Sequence, residues 1–380
     1  MKKENVREER SGKAIKLLSI TERKQRVSIV VDIEKRLGKF DLKVSLKAGD
    51  EVLALLGASG CGKSMTLRCI AGIEKPDRGR IVLDDVVLFD SEKHINLTPQ
   101  KRHIGFMFQN YALFPNMNVR KNIMTGTRRD KDQAAMKQKT AQIMERFGLT
   151  EHAGQLPSQL SGGQQQRTAL ARILVSEPRI LLLDEPFSAL DSHLRFRMEQ
   201  EVRQVIRSFG KTVILVSHDR DEVFRLSDKI AVMYNGSVDV FGTKEEVFED
   251  PKTRNACILT GCKNISLVRK VDERHLIATD WDMELETDRD IADAAYIGIR
   301  HHYTNDLTDA DHHAAGTNTF RCRVTEVIEN PFTYTVMMRI ADRPSAGVFG
   351  WELDKPEWDK IQTDELTVHV PARSILLLKE

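Results

Sequence analysis

The sequence predicts a layered α/β nucleotide-binding domain followed by a small β-barrel domain, and three observations carry that prediction. Gly57-Ala58-Ser59-Gly60-Cys61-Gly62-Lys63-Ser64 fits the GxxxxGK[ST] phosphate loop. Around it, apolar strand-like runs alternate with segments of helical periodicity, which is the pattern of a layered sheet. Past residues 249–264 that pattern gives way to short alternating segments separated by turn-formers.

Taken in order, residues 1–26 are rich in Lys and Arg, lack the long apolar core of a secretion signal, and read as a flexible extension. Residues 27–33 alternate as a strand, Leu37-Gly38-Lys39-Phe40 turns, and 41–46 return with Leu42, Val44 and Leu46 apolar. Val52-Leu53-Ala54-Leu55-Leu56 is a continuous apolar run, suited to a parallel strand buried on both faces. After the phosphate loop, residues 65–71 form a helix that Gly72 closes. Residues 80–89 read as one strand, and 104–108 as another that ends at Gln109. Residues 115–174 look helical, with Ile143, Met144 and Phe147 on an apolar face and Gly148 at a C-cap. Leu194, Met198, Val202, Val205, Ile206 and Phe209 fall on a single helical stripe. A strand at 212–216, a short helix, a strand at 230–233 and the hairpin signal Tyr234-Asn235-Gly236-Ser237 follow. The later strands are expected at 265–268, 275–279, 296–300, 320–327, 334–340 and 366–370. The expected divisions are therefore 1–26, an extension; 27–260, the nucleotide-binding domain; and 261–380, the C-terminal β domain.

Composition narrows the partners. A chain of 380 residues with 41% hydrophobic content has room for two or three domains. A net charge of +2 with 30% charged residues gives no basic nucleic-acid face. Five cysteines, odd in number and irregularly spaced, suit reduced thiols in a cytosol. Cys257 and Cys262 form the nearest later pair, and no second pair completes a zinc site. No apolar run approaches the ~20 residues of a membrane helix, so work at a membrane requires another subunit to span it.

The chemistry is written at the ends of the apolar runs. Glycines in residues 57–62 let successive backbone N–H groups face phosphate oxygens, and the following helix N-terminus adds partial positive charge. Lys63 is placed to reach the β- and γ-phosphates and the Ser64 hydroxyl to coordinate Mg²⁺. The run Ile180-Leu181-Leu182-Leu183 ends in Asp184 and Glu185 at the sheet edge where ligands bind. Asp184 suits the surroundings of a Mg²⁺ ion, and Glu185 suits proton abstraction from an attacking water. A second anion-seeking helix terminus opens at Leu160-Ser161-Gly162-Gly163-Gln164, with Ser161 as N-cap and two glycines leaving N–H groups bare.

Together these residues resemble the ATP-hydrolysing subunit of ABC transporters. The phosphate loop, Gln109, the LSGGQ signature at Leu160-Ser161-Gly162-Gly163-Gln164, the Asp184-Glu185 pair, Ser188-Ala189-Leu190-Asp191 and Ser217-His218-Asp219 occur in family order and spacing over about residues 27–380. The resemblance implies a P-loop cassette with a mixed sheet and helical subdomain, ATP and Mg²⁺ as ligands, and a head-to-tail dimer. Each ATP is then held between one copy's phosphate loop, Gly57 to Met65, and the other copy's Ser161, Gly162, Gly163 and Gln164. It implies Glu185 as general base, His218 bridging the γ-phosphate, and Gln109 contacting Mg²⁺ and the attacking water. Asp191 is expected to touch the opposing subunit, Phe40 to stack on adenine, and Ser64, Gln109 and Asp184 to surround Mg²⁺. Where many relatives carry Thr, Met65 removes a hydroxyl contact to the α-phosphate but keeps the backbone N–H.

The absence of fused membrane helices and the C-terminal β domain make the chain similar to importer ATPases. These work on the cytoplasmic face of the membrane with a permease, at Leu113-Phe114-Pro115 here, and with an extracytoplasmic solute-binding protein. Lys35-Arg36-Leu37-Gly38-Lys39-Phe40 and Leu97-Thr98-Pro99-Gln100-Lys101-Arg102 are similar to molybdate, tungstate and sulfate importers, and Gly298-Ile299-Arg300 and residues 366–378 to their appended β domain. The expectation is uptake of molybdate or a related oxyanion. Sulfate, iron(III), polyamine and sugar importers, a non-transport ABC ATPase and an oxyanion sensor are the alternatives. The pairs His301-His302 and His312-His313 read as parts of an exposed loop.

Overall fold

The computed structural model describes residues 27–127, 132–188, 192–291, 293–301, 305–306 and 317–380, with side chains described from residue 195 onward in the helix that starts at 192. The extension 1–26, Asp191 and the residues His302, His312 and His313 lie outside these.

The first unit opens with the hairpin β1 (Ile29–Leu37) and β2 (Phe40–Ala48), then β3 (Val52–Gly57) and α1 (Lys63–Ala71). The run expected as a single strand at 80–89 is instead a hairpin of β4 (Arg78–Leu83) and β5 (Val86–Asp90). Asp84 and Asp85 turn it, both left-handed at φ 46° and 66°, a conformation that a short polar side chain tolerates. Next come β6 (Ile95–Asn96), α2 (Pro99–Arg102) and β7 (Ile104–Met107). The segment expected to be helical at 115–174 divides into α3 (Val119–Met124), α4 (Gln133–Arg146) and α5 (Gly162–Leu174). Left-handed Gly148 and the proline turn at 157–159 break it between α4 and α5. β8 (Ile180–Asp184), α6 (Ser192–Phe209), β9 (Val213–Ser217), α7 (Arg220–Leu226), the hairpin β10 (Lys229–Tyr234) and β11 (Ser237–Thr243), α8 (Lys244–Glu249) and α9 (Arg254–Leu259) complete it.

Its eleven strands form one mixed sheet in the order β6-β5-β4-β1-β2-β11-β10-β3-β9-β8-β7. From β10 to β7 the strands are parallel, and from β6 to β2 they are antiparallel. β3, β8 and β9 are buried at every position, because both faces of the parallel half are covered. Leu182, Ile214 and Val216 face the core around α1, while Leu181, Leu183, Val213 and Leu215 face the core around α5 and α6. Alternating sides along each strand thus feed two cores.

The second unit comprises β12 (Asn264–Lys270), β13 (His275–Ala278), β14 (Met283–Glu286), β15 (Tyr296–Ile299), β16 (Asn305–Asp306), β17 (Thr319–Glu329), β18 (Thr333–Ile340), β19 (Phe349–Asp354), α10 (Lys355–Ile361), β20 (Glu365–His369) and β21 (Leu376–Leu378). These strands make two five-stranded antiparallel sheets, β14-β13-β12-β15-β21 and β16-β20-β17-β18-β19. Leu276, Met283 and Ile297 from one sheet and Cys322, Val336 and Val368 from the other share one core. Between the units, α9 is common property: Ala256 packs with Ala54, Leu56 and Ile230, whereas its neighbour Cys257 packs with Leu376 and Leu378. Arg300 closes the joint, donating to the carbonyl oxygens of Thr260 (2.8 Å) and Phe248 and to the Thr260 hydroxyl (3.1 Å). Among the described residues, no helix is long and apolar enough to cross a membrane.

Candidate active site

The site sits where β3, β8 and β9 end side by side. β3 delivers the chain into a loop whose turns need glycine: Gly60 has φ 82° and Gly62 φ 105°. A Cβ on Gly62 would stand 2.5 Å from Leu42 and 3.4 Å from the Phe40 ring, so side-chain freedom is excluded twice over. Gly62 is also the N-cap of α1, which has no capping side chain and no acidic residue in its first turn. Its amide donors are therefore available to a ligand.

Lys63 is 5% exposed and folds over the loop, its Nζ donating to the carbonyls of Gly57 (2.7 Å) and Ala58 (2.8 Å) with Cys61 Sγ at 3.8 Å. Among the described residues no carboxylate pairs with it. A buried ammonium whose hydrogen bonds go to neutral loop atoms is suited to receive an anion. Met65 packs against the core on the α1 side, and Phe40 lies between Gly62 and Gly236 with its ring carbon 3.2 Å from the Cβ position of the latter.

From β8, Asp184 accepts a 2.6 Å hydrogen bond from the Ser64 hydroxyl. Burial pushes the Asp184 carboxyl above the usual carboxylate range, against the pull of Ser64, Arg68 and Lys63. Adjacent hard oxygens from a hydroxyl and a carboxylate are a donor set that fits Mg²⁺. Glu185 follows with φ 46°, a left-handed conformation in a non-glycine residue that the surrounding bonds hold in place. Its N–H donates to Val216 (3.1 Å) and its carbonyl accepts from the Ser188 hydroxyl (3.0 Å). At its carboxylate, Gln109 Nε2 donates to Oε2 at 3.4 Å and His218 Nδ1 stands 3.5 Å from the same oxygen. Gln109 and His218 thus converge on one Glu185 oxygen from two different strand ends. The backbone on either side of His218 is anchored: Ser217 donates to buried Glu222 (2.7 Å), and Asp219 caps α7 by accepting from Asp221 and Glu222.

The signature residues gather elsewhere. Ser161 Oγ accepts from the Gln164 N–H (3.3 Å) and Gln164 Oε1 accepts from the Ser161 N–H (2.8 Å), a reciprocal capping box. The cap takes the Gln164 amide and leaves those of Gly162 and Gly163 without a capping side chain. Gly163 serves packing too, since a Cβ there would meet Met198 Sδ at 2.8 Å. Among the described residues, Ser161, Gly162, Gly163 and Gln164 make no hydrogen bond to the phosphate loop. Asp191 is not placed.

Two supports escaped the sequence reading. Gln166, fully buried, donates to the Pro186 carbonyl (3.2 Å), as does the Tyr111 hydroxyl (3.5 Å), bracing the turn that holds Glu185. Arg102, 1% exposed, donates to the Cys69 (2.8 Å) and Ile70 (2.7 Å) carbonyls at the far end of α1, filling the space that a side chain on Gly72 would need. A run of three glutamines and an arginine in a charged turn carried no local signal for either contact.

Comparison with known proteins agrees with this geometry. The ABC transporter family pattern matches residues 40–188. The chain is 44% identical over 238 residues to the spermidine/putrescine import ATP-binding protein PotA of Bacillus thuringiensis (strain Al Hakam), covering 61% of this chain and 71% of that protein. It is 45% identical over 226 residues to the Fe(3+) ions import ATP-binding protein FbpC of Haemophilus influenzae (strain 86-028NP), covering 57% of this chain and 64% of that one. The solved structure of cbiO1 from Clostridium perfringens, part of the ABC transporter complex cbiONQ, superposes with a TM-score of 0.52 at 28% identity, covering 59% of this chain and 92% of cbiO1. Neither named importer subunit is a molybdate protein, so these matches carry the importer relationship and not the expected oxyanion. The chain belongs to the ABC transporter family, as one of its ATPases.

Proposed function

We propose that the chain energises solute import: as a pair of copies bound to a separate membrane permease at the cytoplasmic face, it hydrolyses ATP to drive uptake. The observation that carries this reading is the convergence of Gln109 and His218 on one Glu185 oxygen, beside the Ser64–Asp184 pair and the self-bound Lys63. In the reading, residues 27–260 are the ATPase domain and 261–380 a C-terminal β domain with a regulatory role.

Lys63 exchanges its two loop carbonyls for β- and γ-phosphate oxygens, and the α1 amides and Gly57 to Met65 wrap the phosphates. Phe40 stacks on the adenine. Ser64, Asp184 and Gln109 would hold Mg²⁺, which would supply neutralisation of phosphate charge. Glu185 accepts the proton of the attacking water through the oxygen that Gln109 and His218 orient, and His218 fixes the γ-phosphate. Ser161, Gly162, Gly163 and Gln164 of a second copy close the site from above, with Asp191 at the contact between copies. Replacing Glu185→Gln should lower turnover by about 10²–10⁴ and leave ATP trapped in a stable dimer. Light scattering and nucleotide-retention assays check this, and a monomer with unchanged turnover overturns it.

PotA and FbpC favour a polyamine or iron(III) as the solute. The second reading is molybdate or a related oxyanion, on the resemblance of Leu97 to Arg102 and Gly298-Ile299-Arg300 to oxyanion importers. Against it, Arg300 and Arg102 are both bound to the chain's own carbonyls. Uptake of labelled putrescine, ferric citrate and molybdate by cells with and without the gene, alongside its permease, decides between them.

A further inference from the structure

The joint between the units holds a pair of thiols that the ATPase reading leaves without a task. α9 ends in a Schellman turn: the Cys262 N–H donates to the Cys257 carbonyl (3.0 Å), the Gly261 N–H donates to the Ile258 carbonyl (2.9 Å), and Gly261 is left-handed at φ 95°. That turn brings together the two residues that flank it, and ordinarily the contact is a pair of apolar side chains. Here both are cysteines. They are 0% and 3% exposed, and both sulfurs crowd the Cα of Gly298, where a Cβ would stand 2.8 Å from Cys257 Sγ and 3.2 Å from Cys262 Sγ.

The two sulfurs differ in surroundings. Cys262 lines a cleft of about 620 Å³ between the units together with Arg220, Arg254, Lys263, Asp280 and Tyr296, so it has a path to solvent past three cations and one carboxylate. The Cys262 thiol donates to the Asn264 carbonyl (3.3 Å). Its neighbour Cys257 and the nearby Arg300 hold its thiol below the ordinary range, while Cys262 and burial push the Cys257 thiol up. An electropositive, reachable thiol beside a second one is the arrangement of a reactive cysteine with its resolving partner. Elsewhere in the chain, burial pushes Cys69 and Cys322 up to about 12, which makes them inert, and Cys61 lies in the phosphate loop, 3.8 Å from Lys63 Nζ.

We propose that Cys257 and Cys262 are a modification site: hydrogen peroxide converts them to a reversible disulfide that stiffens the joint and slows ATP hydrolysis. The Cys262 thiol attacks one peroxide oxygen, breaking the O–O bond to give a sulfenic acid and one water. The Cys257 thiol then displaces the sulfenic oxygen, which leaves as a second water while the S–S bond forms. Two thiols lose two electrons and one peroxide gains them. The route to the active site is short, because Gly261 lies against the guanidinium of Arg220 on the first turn of α7, two residues past His218.

The test uses the full chain. Trypsin releases both cysteines in one peptide, 255–263, and after brief peroxide treatment that peptide should be lighter by two hydrogens and resist alkylation until dithiothreitol is added. Amide exchange across 254–264 should slow, and ATP turnover should fall about fivefold and recover on reduction. The chain carrying Cys262→Ala should hydrolyse ATP normally and ignore peroxide, with Cys257→Ser as a second variant. A peptide that keeps its thiol mass, or gains oxygen on a single sulfur, overturns the proposal. So does a Cys262→Ala chain that loses turnover to peroxide as the parent does while the peptide holding Cys61 keeps its thiol mass. The mass readout does not depend on hydrolysis, so a chain without ATPase activity would count against the function and leave this assignment to be judged by the peptide.

Discussion

Two helices in this molecule begin with glycine-rich turns aimed at anions, and they treat their free amides in opposite ways. α1 starts at a left-handed glycine with no capping side chain and leaves a buried ammonium beside it. α5 starts at Ser161 and satisfies itself through Gln164. An uncapped terminus costs folding free energy that a bound phosphate returns, whereas a capped one folds without help and keeps only its first amides free. The contrast suits a site that is built around the phosphates on one side and closed by a partner on the other.

The strongest way to break that contrast is at Lys63. Lys63→Ala should remove ATP binding by the isolated chain and lower turnover by about 10²–10³, while Ser161→Ala should leave binding by a single copy intact and slow only turnover. Titration with a fluorescent ATP analogue checks both, and equal losses of affinity would erase the distinction. Next in size, Gly62→Ala should cost about 1–3 kcal/mol in denaturant unfolding, because the left-handed backbone and Leu42 both oppose it. Gly163→Ala should cost less, since it meets only the flexible end of Met198. Ser161→Ala should then cost about 1 kcal/mol, recovered by Ser161→Asp.

The smallest effect carries a sign. The Asp184 carboxyl is raised by burial, so its ionisation near neutral pH opposes folding of the nucleotide-free protein. Asp184→Asn should therefore raise Tm slightly at pH 7 while abolishing turnover. That gain should shrink as pH falls through the raised pKa and vanish below the ordinary carboxylate value, as calorimetry across pH would show.

The bare terminus was legible in the sequence because everything that makes it is local: an apolar run, six loop residues and a helix. β3, β8 and β9 announced themselves as unbroken apolar stretches because they are covered on both faces. The Asp84-Asp85 turn was missed because its residues mimic the Asn-Gly signal only by tolerating the same backbone. β14, β19 and β21 were missed because three to six residues carry too little pattern. The supports Gln166 and Arg102 reach across 20 and about thirty positions to find backbone carbonyls, and no local pattern encodes a contact whose acceptor is the same in every residue.

The helix shared at the joint limits how this protein can be taken apart. Cutting after Thr260 would strip the carbonyl ends of α8 and α9 of the Arg300 guanidinium and bare the face of α9 that Leu376 and Leu378 cover. The shortened enzyme would acquire a sticky scar at that place. Grafting a foreign tail onto this engine, or this tail onto a foreign engine, would have to carry α9 and Arg300 together as one spliced cassette.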